Sequence, residues 1–100
     1  METGRMIEVS HYYRESDNYR AWVDDAGIGS VRVLKRVNFK ALVHLFKEML
    51  AEMKKADPTN AHMIFYISRS LNDEMSENAR EFLEFCRDCL GVDFQMVILE

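Results

Sequence analysis

The sequence is poor in the residues that staple or break a chain. It has two cysteines and one proline in 100 residues. Two cysteines close together do not build a disulfide framework. The longest apolar run, Met63 to Ile67, is far shorter than the roughly 20 residues that span a bilayer as a helix. Only four glycines are present, and the nearest approach to a phosphate-binding loop, Gly27-Ile28-Gly29, lacks a third glycine and opens a strand. Residues Met1-Glu2-Thr3-Gly4-Arg5 lead into a strand-like segment and not into an apolar signal core, so a cytoplasmic location is expected. None of the three histidines, His11, His44 and His62, has a partner at metal-ligand spacing, and no serine or cysteine stands in a nucleophile elbow.

The chain does have the material for a core. Its composition, 48% hydrophobic and 30% charged, is that of one folded domain over residues 1–100. The net charge of −4 argues mildly against generic nucleic-acid binding and is unevenly spread. Residues 1–55 hold ten Lys/Arg and eight Asp/Glu, while residues 56–100 hold three and nine.

Alternation marks the first third as strands. From Met6 to Arg14, Ile7, Val9, His11 and Tyr13 face one way, opposite Glu8, Ser10, Tyr12 and Arg14. Ser16-Asp17-Asn18 is turn chemistry, Tyr19 to Asp24 resumes alternation, and 25–30 form a second turn. Val31, Val33 and Val37 give a third strand, with Arg32, Leu34 and Arg36 opposite. Connections this short make a three-stranded antiparallel meander.

Asn38 suits a helix N-cap, and Phe39, Leu42, Val43, Phe46, Met49, Leu50 and Met53 follow on one stripe, with Lys54 and Lys55 at the negative end. Asp57-Pro58 stops that helix. His62 to Ile67 is apolar without alternation, as in a strand covered on both faces. Ser70 or Asn72 can cap a second helix, with Asp73, Glu74 and Glu77 near its start and the stripe Met75, Ala79, Phe82, Leu83, Cys86 and Leu90. Gly91 suits its C′ position, and Val92 to Leu99 is a final strand. The expected fold is α/β of the α+β kind: a five-stranded mixed sheet in the order β-β-β-α-β-α-β, with a meander followed by two strand–helix–strand crossovers.

That element order resembles the one in ribonuclease H-like folds, without a shared sequence motif. The resemblance implies clustered carboxylates on the first strand, the first helix and near the end of the fourth strand, holding two divalent cations. Glu8, Glu48 and Asp73 occupy roughly those places. Read from the residues, Glu8 lies opposite Ile7 and Val9, and Glu48 lies on the polar side of its helix, as solvated carboxylates do. Cys86-Arg87-Asp88-Cys89 matches C-x-x-C, but it falls at the negative end of a helix beside Glu84 and Asp88, which discourages thiolate chemistry. Cys86 reads as core.

The remaining signal is a patch of arginines and aromatics on the meander. Tyr12, Arg14, Arg20, Trp22, Arg32, Leu34 and Arg36 are the candidate binding residues. Aromatics beside arginines on a sheet either stack nucleic-acid bases or form a protein interface. Glu8, Glu15, Asp17, Asp24 and Asp25 dilute the positive field. With no catalytic skeleton and no cofactor or metal site in view, the expectation is a non-enzymatic protein-interaction module. It would act as a homodimer, adaptor or inhibitor through the exposed face of the meander, with nucleic-acid binding through the same patch as the alternative.

Overall fold

The computed structural model describes residues 12–56, 61–75 and 79–100. Their elements are β1 (Tyr12–Glu15), β2 (Tyr19–Val23), β3 (Gly29–Val33), α1 (Phe39–Ala56), β4 (His62–Ser68), α2 (Arg69–Glu74), α3 (Ala79–Leu90) and β5 (Asp93–Leu99). The strands form one five-stranded sheet in the order β1-β2-β3-β4-β5. The first three are antiparallel neighbours; β3–β4 and β4–β5 are parallel. This is the mixed α+β sheet expected from the sequence. Residues 6–11 of the expected first strand lie outside the described residues.

Local chemistry sets the boundaries. The Ser16 hydroxyl accepts hydrogen bonds from the Asn18 and Tyr19 amides, closing the β1–β2 turn. Asp24 Oδ1 accepts from the Ala26 and Ile28 amides and shapes the β2–β3 turn. The third strand ends earlier than its alternation implies, because the Leu34 and Lys35 amides turn to the Asn18 carbonyl. Asn38 caps α1 as expected, Oδ1 accepting from the Lys40 amide at 2.6 Å. Gly91 follows α3 with φ of 72°, the left-handed C′ conformation that favours glycine.

The second helical segment differs from expectation, being two helices instead of one. Ser68, not Ser70 or Asn72, caps α2, its hydroxyl accepting from the Leu71 amide. Asn72 acts further on, its side-chain oxygen accepting from the Ala79 amide at the start of α3. Asp73 and Glu74 therefore end a short helix instead of starting a long one, and Glu77 lies outside the described residues.

Both long helices lie on the same face of the sheet. Phe46 of α1 meets Phe65 of β4 edge-on at 6.2 Å, Phe82 of α3 at 5.9 Å and Phe94 of β5 at 5.3 Å. Phe39 stacks on Phe82 at 4.2 Å, closing the two helices over the sheet. Leu42, Met49 and Met53 of α1 are fully buried against Ala21, Val23, Val31, Met63 and Ile67 of the sheet. The helix packs tightly over Gly29, where a methyl group would sit 2.8 Å from Met53 Sδ and 3.1 Å from Met49 Cε. Among the described residues no helix is long and apolar enough to cross a membrane.

Phe46 therefore joins every layer of the core. Phe46→Ala is expected to lower unfolding free energy by about 3–5 kcal/mol in urea titration. Phe85→Ala, at a site 62% exposed, is expected to cost less than about 0.5 kcal/mol. Equal losses in the two would contradict this core.

Candidate functional site

Covering one face leaves the other without a described helix. The strand register shows what that open face presents. One row runs Tyr13–Trp22–Ser30–Ile64–Gln95 across the five strands. The next runs Glu15–Arg20–Arg32–Tyr66–Val97. Ser68 and Leu99 pair at one end of the parallel strands, His62 and Asp93 at the other.

The apolar members of these rows correct an expectation. The unbroken apolar run of β4 reads as covered on both faces, yet its burial alternates. Met63, Phe65 and Ile67 are wholly buried, whereas Ile64 and Tyr66 are half-buried on the open face. On β5, Val97 and Leu99 share that face and are also half-buried. Tyr13 is 54% exposed beside half-buried Trp22. Three aromatic rings and three aliphatic side chains thus share one face with two arginines.

The arginines are placed against one another. Arg20 and Arg32 are direct cross-strand partners, and both are exposed. Like charges directly opposite are destabilising. Glu15 offsets one of them, at 3.8 Å from Arg20, while also accepting from the Tyr13 hydroxyl at 3.0 Å. Among the described residues Arg32 has no carboxylate partner.

The structure divides the seven candidate binding residues. Arg20, Trp22 and Arg32 are together on the open face. Tyr12 and Arg14 are on the helix face, reversing the orientation expected for this part of the first strand and sending Tyr13 outward. At this edge of the described sheet Tyr12, half-buried against the core, also reaches Glu48 on the polar side of α1. The Tyr12 hydroxyl donates to Glu48 Oε1 at 2.8 Å and accepts from Arg14 Nε at 3.2 Å. Arg14 Nε also lies 3.5 Å from Glu48 Oε1, with its guanidinium over the Tyr12 ring. Burial first, and then the Glu48 carboxylate, push the Tyr12 phenol up to about 12. Leu34 and Arg36 lie beyond the end of β3, in a segment that Asn18 holds through the Leu34 amide and the Arg36 carbonyl. Leu34 is exposed.

The other candidates do not assemble. Among the described residues no three His, Cys, Asp or Glu side chains are grouped to hold a metal ion. Glu48 is engaged by Tyr12 and Arg14, and Glu8 lies outside the described residues. His11 also lies outside them. His44 borders a surface hollow with Arg14, Lys40 and Glu48, and His62 Nδ1 is 3.3 Å from Asp93 Oδ2. Cys86 is buried, its thiol pushed up to about 11 by burial and then by Cys89, which is exposed. Comparison with protein-family models, curated proteins and solved structures gives no match to this chain.

Sequence reasoning missed Ile64, Tyr66, Val97 and Leu99. Only the strand order could have revealed them, since it decides which face the described helices cover.

Two measurements check this arrangement. A thiol reagent on native protein should modify Cys89 quickly and Cys86 only on unfolding; two equally fast thiols would contradict the packing. Tyr12 should keep its proton beyond its ordinary value of 10.0, to about 12. Because the folded value is the higher one, its stability contribution is whole below pH 10.0 and is lost as pH rises through about 12. In Glu48→Gln the phenolate absorbance attributable to Tyr12 should appear at lower pH, and an unmoved titration would show that Glu48 has no part in it.

Proposed function

We propose that this protein is a non-enzymatic interaction module that docks on a partner protein through the open face of its sheet. The observation carrying this reading is the pairing of apolar strands with single-sided cover. Residues 62–67 and 92–99 have the composition of strands buried on both faces, and Ile64, Tyr66, Val97 and Leu99 remain half-buried. Clustered apolar side chains rimmed by polar ones characterise interaction sites, and tyrosine, tryptophan and arginine are the residues most enriched at their energetic centres.

The opposed Arg20 and Arg32 define the partner's chemistry. It presents an apolar surface carrying a carboxylate that enters between the two guanidinium groups, relieving a repulsion that the isolated sheet tolerates. A phosphodiester backbone is less well matched, because Glu15 and Asp93 share the face and the whole chain carries −4. Two free cysteines fit action in the reducing cytoplasm.

The test compares wild type with Trp22→Ala/Arg32→Glu, each first shown to be folded by circular dichroism and thermal melting. A protein captured from native extract and then purified should bind wild type directly, and the double variant should weaken it by roughly 100-fold. Undiminished binding by the folded variant would remove the open face from the account. Salt-sensitive binding of wild type to RNA or DNA oligonucleotides, lost in the same variant, would replace it with the nucleic-acid reading.

A further inference from the structure

The two edges of the sheet differ in kind. The described part of β1 carries Arg14 and Glu15, and charge at an edge opposes pairing with another strand. The other edge is β5, seven residues long, with no charge, proline or glycine from Phe94 to Leu99. One side of β5 is bonded to β4, and its other side faces no described strand. A long, apolar, uncharged edge is a template for a further strand.

We infer that the strand it receives is β5 of a second copy of this chain, antiparallel about Met96, joining two five-stranded sheets into one of ten strands. A closed homodimer has two-fold symmetry, and a two-fold between edge strands makes them antiparallel. Centring that axis on Met96 sets Phe94 opposite Ile98, Gln95 opposite Val97 and Met96 opposite itself. On the helix face this gives two aromatic–β-branched pairs, a favourable cross-strand combination. No like charges oppose one another anywhere along the strand.

The charges at its ends also fit. Asp93 of the second copy falls opposite Leu99, one residue from Glu100. Glu100 accepts from Arg69 Nη2 at 2.7 Å, and the Arg69 side chain remains 63% exposed. Each end of the paired strands thus keeps its own partner, His62 for Asp93 on the open face and Arg69 for Glu100, so neither carboxylate is left uncompensated. Beside the same edge, Leu83, Phe94 and Met96 line a small groove between Arg80, Glu84 and Arg87, and strand pairing would cover it. The dimer does not depend on what the open face binds, but it would set two such faces side by side and make docking bivalent.

The experiment is sedimentation equilibrium of the full chain from low to high micromolar concentration, with two variants. Wild type should be a reversible dimer. Gln95→Lys/Val97→Lys brings lysines opposite one another on the solvent side of the paired strands and should weaken dimerisation by roughly 10–100-fold. Gln95→Lys/Val97→Glu pairs opposite charges across the two-fold and should restore the dimer in a salt-sensitive form. A wild type that stays monomeric throughout overturns the inference, as does a folded lysine variant that dimerises unchanged. Amide hydrogen exchange of wild type needs no variant to fold. Protection of β5 amides that grows with protein concentration supports strand pairing, whereas a dimer whose β5 exchange is independent of concentration overturns it in favour of face-to-face packing.

Discussion

Two crossovers that advance in the same direction across one sheet determine this structure. A strand–helix–strand connection between parallel strands is right-handed. Here β3 leads through α1 to β4, and β4 through α2 and α3 to β5, each step moving one place toward the same edge. Two right-handed steps in one direction put both helices on one face. The Phe46 cluster, with rings from α1, α3, β4 and β5, is the packed result. The open face is the other result, and the functional reading rests on it.

The division explains how neighbouring residues come to different uses. Tyr12 and Tyr13 are adjacent in sequence, yet one is tied to Glu48 under α1 and the other stands out beside Trp22. Alternation along a strand separates them by a full sheet thickness. Arg14 joins the helix-face network, while Arg20 and Arg32 meet on the open face, with Glu15 beside Arg20 as the single acid of their row. A sheet whose outer face were only solvated would gain from pairing those arginines with acids, and the row Glu15–Arg20–Arg32–Tyr66–Val97 supplies just one.

Much of the scaffold was legible in the residues. The Asn38 cap, the stripe from Phe39 to Met53 and the left-handed Gly91 all follow from local chemistry, and all are present. The break between α2 and α3 was not legible, because the Asn72 side chain accepts from the Ala79 amide at the start of the next helix and does not cap its own. The site was half legible. Arg20, Trp22 and Arg32 share a face by simple alternation, but Ile64, Tyr66, Val97 and Leu99 read as ordinary core. Periodicity says which residues lie on the same side of a strand. It is silent on which side the rest of the chain covers, since that depends on strand order and on long-range pairing.

Trp22 is the only tryptophan, and it stands on the open face, on β2 between Tyr13 and Ser30, so its fluorescence reports that face alone. Iodide quenching of the native protein is the most direct test that the face carrying Trp22 is open to solvent. Substantial quenching is expected, with an emission maximum partway toward that of the unfolded chain. Emission like that of a core tryptophan, with no quenching until the protein unfolds, would mean that the face is covered and would contradict the proposed docking face.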